Sequence, residues 1–184
     1  MRKTETWRDC YRTPKYMVNW IKMNFLTNVD GCADCQNAIH GCYIGLDQDN
    51  EKISDFFKFD MRELEKELYW GEGAKIKPRI FINPPYSNPL PFVQRAIDLM
   101  KQDVFVVMLL PGDKSTKWYE EINKNATEVI DIIGGRVNFI NPVTGKVAKG
   151  NNKSSLVAIF NPFEQGFITR EINLKFIKEK FGKI

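Results

Sequence analysis

Short apolar runs alternate with amphipathic stretches along the chain, which is the pattern of an α/β fold. Residues 24–30 read as a first strand ending in Asp30, 34–39 as a short helix, and 42–46 as a second strand followed by Asp47. Good helix formers, with Leu64 and Leu68 one turn apart, predict a helix over residues 61–69. Arg79–Ile82 is a short buried strand that runs directly into Asn83-Pro84-Pro85-Tyr86. Asn88 then supplies a cap and Pro89 a first turn for a helix whose apolar face is Phe92, Val93, Ala96, Ile97 and Met100.

Residues 104–110 contain no polar side chain, as expected of a central parallel strand covered on both sides. A helix over 116–123 follows, then a strand over Glu128–Ile133 stopped by Gly134-Gly135. Residues 137–140 and Ser155–Phe160 read as a late pair of strands, joined by a loop at 141–153 rich in Gly, Asn and Lys. A terminal helix over 173–181 is expected to pack Phe176, Ile177 and Phe181. The expected architecture is a mostly parallel sheet with helices on both faces. Such sheets bind ligands beyond the carboxyl ends of their strands, where Asp30, Asp47, Asn83 and Pro111 fall.

The 184 residues are 43% hydrophobic and show no linker or repeat, so residues 1–184 are expected to form a single domain. Lys and Arg total 27 against 23 Asp and Glu, a net charge of +4 that permits a polyanionic partner without requiring one. The polar start MRKTETWRDCYRT has no apolar core of a secretory signal. No apolar run approaches the roughly 18 residues of a membrane span, so a cytoplasmic location is expected. Cys32, Cys35, His40 and Cys42 have the composition of a small zinc cluster. Only one residue separates His40 from Cys42, which makes it hard to wrap both around one tetrahedral centre. The expectation is therefore reduced, mostly buried thiols and no metal. With one histidine in the chain, a His-based hydrolase is improbable.

The stretch that carries chemistry is Asn83-Pro84-Pro85-Tyr86, between a strand and a helix. The Asn83 side chain and the Pro84 backbone each offer a carbonyl, and two consecutive prolines stiffen the loop that presents them. A nucleobase amine is a poor nucleophile because its lone pair is delocalised into the ring. Two acceptors on its two N–H bonds favour the pyramidal geometry that frees the lone pair. Tyr86 adds a flat face for a base taken out of its stack.

This motif resembles the amine-methylating motif of S-adenosylmethionine-dependent methyltransferases. The ordered set around it is similar to the phage and prophage DNA N6-adenine methyltransferases of Dam-like type. It comprises Thr13-Pro14 followed by Tyr16-Met17-Val18, Asp30-Gly31-Cys32-Ala33 with Asn37 and Cys42, Met108-Leu109-Leu110-Pro111 with Thr116-Lys117-Trp118-Tyr119, Gly135-Arg136-Val137-Asn138-Phe139, and Ser154-Ser155-Leu156-Val157. The resemblance runs from about Thr13 to Phe160. It implies a Rossmann-like methyltransferase fold, S-adenosylmethionine as cofactor, DNA as partner, and Asn83, Pro84, Pro85 and Tyr86 as the catalytic residues. It also implies that Thr13, beside Pro14, binds the cofactor's methionyl carboxylate and that Asp30 sits near its amine. Asp47 or Asp49 is implied for the ribose hydroxyls and Asp60 for the adenine amine. The loop after the first strand departs from the glycine-rich pattern common in methyltransferases, because it holds Gly31 alone.

For DNA, Lys114, Arg136 and the loop residues Lys146, Lys149, Asn151, Asn152 and Lys153 are the candidates, lysines for phosphates and asparagines for adenine edges. The motif serves cytosine N4 equally well, since both amines need the same two acceptors. A catalytically silent DNA-binding module of the same fold is the alternative from another class.

Overall fold

The computed structural model describes residues 10–68, 76–148 and 151–183. They form a seven-stranded sheet in the order β2-β1-β3-β4-β6-β5-β7. The strands are β1 (Val29–Asp30), β2 (Cys42–Tyr43), β3 (Arg79–Ile82), β4 (Phe105–Pro111), β5 (Glu128–Ile133), β6 (Ser155–Phe160) and β7 (Ile168–Asn173). β1, β2, β3 and β4 run parallel, and β5 pairs parallel with β7. β6 lies antiparallel between β4 and β5. The sheet is therefore mostly parallel, and the carboxyl ends of β1 to β5 and of β7 share one edge.

Helices cover both faces. On one face α2 (Met61–Glu67), α3 (Leu90–Met100) and α4 (Lys117–Asn125) bury Leu64, Val93, Ala96, Ile97, Trp118 and Ile122 against Ile80, Ile82, Val106, Met108 and Leu110. On the other, α1 (Lys15–Phe25) and α5 (Leu174–Phe181) bury Met17, Trp20, Ile21, Leu174 and Ile177 against Phe81, Phe105, Val107 and Leu109. Alternate residues of β4 serve opposite cores, so its unbroken apolar run needs both helical layers. Among the described residues no helix is long and apolar enough to cross a membrane.

Several elements differ from the sequence expectation. Residues 24 and 25 belong to α1, not to a strand over 24–30. Leu26 takes a left-handed conformation (φ 49°) and ends that helix, with its N–H donating to the Lys22 carbonyl, so β1 shrinks to Val29–Asp30. Residues 34–39 form one turn capped by Asp34, whose Oδ1 accepts from the Gln36 and Asn37 amides, and not a helix. The second strand is Cys42–Tyr43 alone, because the chain turns at 46–47. Asn88 does not cap α3; the helix starts behind Pro89 with no side-chain cap. Residues 137–140 form no strand, since only Ile140 is bridged, to Arg12 and to Val147. Phe176 is exposed, and Leu174 packs in its place beside Ile177. Tyr69, the expected end of α2, lies outside the described residues.

Candidate active site

Asn83 leaves the carboxyl end of β3 and sits beside the segment that opens α1. Its Nδ2 donates to Thr13 Oγ1 at 3.2 Å across 70 positions of sequence. Its Oδ1 is buried and has no hydrogen-bond partner among the described residues. An orphaned buried acceptor is costly, and folded proteins keep few of them. The bond to Thr13 fixes the amide orientation and leaves the oxygen as its unsatisfied end. Arg12 and Ile140 exchange backbone hydrogen bonds at 2.9 Å, which straps residues 11–14 across the site.

Pro84 is buried, and the Pro85 carbonyl accepts from the Asn88 amide at 3.3 Å, closing the loop into a tight turn. Tyr86 packs edge-on against Phe139 at 5.5 Å between ring centroids. The residue as a whole is part-exposed, while its hydroxyl is buried beside that of Ser155. Burial pushes the Tyr86 phenol well above its ordinary range, with the Ser155 hydroxyl opposing. Ser155 opens the reversed strand β6 at this same edge; the sequence carries no sign that it reaches Tyr86.

The residues expected to hold a cofactor lie along the neighbouring strand ends. Thr13 Oγ1 accepts from Asn83, so its own hydroxyl proton points elsewhere and can be donated. Pro14 precedes α1, whose first turn carries no acidic residue and no side-chain cap. Asp47, beyond β2, accepts from the Cys35 amide at 2.7 Å and also bonds the Cys35 and Tyr43 side chains, which hold its carboxyl below the usual range. Asp49 is exposed on the same loop. Gly45 allows these loops to meet, because a Cβ there would lie 1.9 Å from the Ala33 carbonyl oxygen.

Two of these acids also hold backbone amides. Asp30 is 4% exposed, and its oxygens accept from the Cys32 and Ile39 amides at 3.3 and 3.1 Å. It braces the loop after β1 from beneath. Asp60 caps α2, accepting from the Arg62 amide at 2.8 Å, and this bond explains its place in the sequence without a ligand.

Burial raises the Asp30 carboxyl from 3.8 to about 6, against the lowering effects of the Ile39 and Cys32 amides and Lys22. The folded chain therefore holds this proton more tightly than the unfolded chain does. The resulting stabilisation is complete below about pH 4 and is lost as pH rises through about 6. Melting temperatures of the parent and of Asp30→Asn from pH 4 to 7.5 are expected to show the parent's relative stability falling across that window. A difference independent of pH would refute the assignment.

Residues 2–181 match the family described as DNA N-6-adenine-methyltransferase (Dam). A protein of Haemophilus phage HP1 (strain HP1c1), named DNA N-6-adenine-methyltransferase, is 47% identical over 158 residues, covering 84% of this chain and 80% of its own. A protein of the same name from Escherichia phage T1 is 31% identical over 173 residues, covering 86% of this chain and 65% of its own. The chain belongs to the Dam family. This chain thus spans somewhat under two thirds of the phage T1 protein.

In this Dam-family chain the expected DNA residues divide. Arg136, Lys146, Asn152 and Lys153 are exposed. Arg136 donates to the Asn152 carbonyl, which ties the loop after β5 to the approach to β6. Asn151 is committed to structure: its Nδ2 donates to the Val137 carbonyl at 2.8 Å and its Oδ1 accepts from the Lys153 amide. Lys114 pairs with Asp131 at 2.6 Å, so its charge is already met within the chain. Lys149 lies outside the described residues.

The thiols are less buried than expected, with Cys10 and Cys35 exposed and Cys32 and Cys42 half-buried. His40 Nε2 lies 2.9 Å from Thr27 Oγ1, and burial and Lys22 lower its pKa to about 4. Among the described residues no three of His, Cys, Asp and Glu converge as a metal site.

Proposed function

We propose that this chain transfers a methyl group from S-adenosylmethionine to N6 of adenine in DNA, on a Rossmann-like methyltransferase fold. The observation that carries the reading is the buried, unpartnered Asn83 Oδ1 at the head of Asn-Pro-Pro-Tyr, beside Thr13. The family supports adenine as the base.

The residues fit the cofactor. Thr13, with a hydroxyl proton to donate, and the uncapped first turn of α1 suit the methionyl carboxylate. Asp47 or Asp49 would accept the ribose hydroxyls, and Asp30 steadies the loop after β1 through the Cys32 and Ile39 amides. When bound, S-adenosylmethionine supplies a methyl group made electrophilic by its positively charged sulfur. The chain's own groups prepare the amine. Asn83 Oδ1 and the Pro84 carbonyl accept its two N–H bonds, which draws the nitrogen out of conjugation and turns its lone pair toward the methyl. The prolines hold both acceptors in place beforehand, so little reorganisation accompanies reaction. The Tyr86 ring, steadied by Phe139, stacks on the extruded base.

Tyr86→Phe is expected to keep most activity, since the lost hydroxyl is buried and contributes no ligand contact. Tyr86→Ala is expected to lose roughly 1–3 kcal/mol of base stacking. Equal losses in steady-state rates would point to the hydroxyl instead. The substrate class is tested by incubating the protein with methyl-labelled cofactor and DNA, RNA or protein in parallel. Label in DNA alone is expected, and label in RNA or protein but not in DNA would overturn the reading.

A further inference from the structure

We propose that the groove between the loop after β5 and helix α5 is a second DNA-backbone site, which takes phosphates flanking the target base. The proposal rests on the reading of the chain as a DNA methyltransferase and adds a surface outside the methyl-transfer site. The groove encloses about 500 Å³ and is lined by Gly134, Gly135, Arg136, Lys175, Lys178 and Glu179 among others.

Its place in the sheet is the first argument. β5 and β7 deliver their carboxyl ends to the edge where β3 delivers Asn83. β3 and β5 are three strand spacings apart in the order β3-β4-β6-β5. At about 4.8 Å per spacing this is roughly 14 Å along the edge. A duplex rises about 3.4 Å per base pair along each strand, so for a duplex lying along this edge the groove would meet the backbone about four nucleotides from the target.

Charge is the second argument. Among the described residues three cations line the groove against one carboxylate, Glu179, which pairs with Lys175 alone, at 3.8 Å and with both side chains largely exposed. Among the described residues Arg136 and Lys178 have no carboxylate within ion-pair distance. Lys178 is held over the Tyr16 ring, 5.5 Å from its centroid, and Tyr16 belongs to the segment that follows Thr13-Pro14. One wall of the groove is thereby joined to the methyl-transfer site.

The third argument is that this concavity is built. Gly134 has φ +73°, and a Cβ there would lie 2.6 Å from Asn173 Nδ2. Only glycine lets the loop turn this way and close on the start of α5. Lys175 and Lys178, one turn apart on α5, line the groove together with Arg136. Among the described residues no aromatic ring lines the groove, so they offer no stacking platform for a base and suit a run of phosphates.

The test compares the parent chain with the double variant Lys175→Gln, Lys178→Gln. Both side chains are exposed, so neither change empties the core. Binding to a duplex is measured across a salt series, on unmodified DNA and on DNA carrying uncharged methylphosphonate linkages three to five nucleotides from the target adenine. The variant is expected to lose about 1.8 from the salt slope, about 0.9 per phosphate contact, and to bind at least tenfold more weakly at 0.1 M salt. The methylphosphonates are expected to weaken the parent but not the variant. An unchanged slope, or equal methylphosphonate effects in both chains, would overturn the proposal while parent binding and methylation of DNA left the underlying function standing. A parent that neither bound nor methylated DNA would overturn both.

Discussion

Asn83→Ala is expected to slow methyl transfer by roughly 10²–10³-fold, the cost of losing one preorganised acceptor. The Oδ1 that it removes is buried and bonded to nothing else among the described residues, so losing this atom breaks no hydrogen bond within the chain. The Nδ2 bond to Thr13 at 3.2 Å is lost as well, which is expected to weaken cofactor binding only slightly, by less than about 1.5 kcal/mol for a neutral hydrogen bond. Asn83→Asp separates the two effects. It keeps an acceptor for the amine, so its single-turnover rate at saturating cofactor is expected to exceed that of the alanine variant, while its cofactor affinity falls because the Thr13 hydroxyl proton is drawn to the new carboxylate. Single-turnover rates and cofactor titrations on the three proteins decide the matter. A rate for Asn83→Ala equal to that of the parent would remove the mechanism.

Gly45→Ala is expected to be the most damaging change outside the methyl-transfer loop. The new Cβ would lie 1.9 Å from a backbone oxygen, that of Ala33, so no side chain can move aside to relieve it. The Ala33 amide donates to the Ile44 carbonyl at 3.3 Å, and Asp47 accepts from the Cys35 amide, so separating the loops breaks both contacts. Overpacking of this kind costs about 1–3 kcal/mol, which for a chain of this length lowers Tm by roughly 3–10 °C. Cofactor affinity is expected to fall at least tenfold, because Asp30 and Asp47 lie on the loops that are forced apart. Thermal melts with and without cofactor provide the check. A variant with the parent's Tm and affinity would contradict the placement of these loops.

The elements legible in the sequence were those whose burial is complete or whose ends are marked. β3 and β5 have the bounds read from the sequence, β5 stopping at Gly134-Gly135, and β4 is buried along its whole length. α1 was missed although Met17, Trp20, Ile21 and Phe25 repeat at helical spacing, because the apolar residues near its end merged with those of β1. β7 left no signal: it is an edge strand whose residues are almost all exposed, so no alternation marks it. At the site, Asn-Pro-Pro-Tyr was readable because its four residues are consecutive and stand between a strand and a helix. Thr13 came only from family resemblance, since no spacing rule joins positions 13 and 83. Ser155 beside Tyr86 and the structural duties of Asp60 and Asn151 depend on tertiary approach and local caps, for which composition holds no sign.

The central claim is that the site methylates N6 of adenine, and nucleoside analysis tests it most directly. DNA incubated with the protein and methyl-labelled S-adenosylmethionine is digested to nucleosides, which are separated and counted. The account predicts label in N6-methyladenosine of the deoxy series, lost in parallel reactions with Asn83→Ala. Label in N4-methylcytosine, or no label in DNA under conditions where the protein binds cofactor, would contradict it.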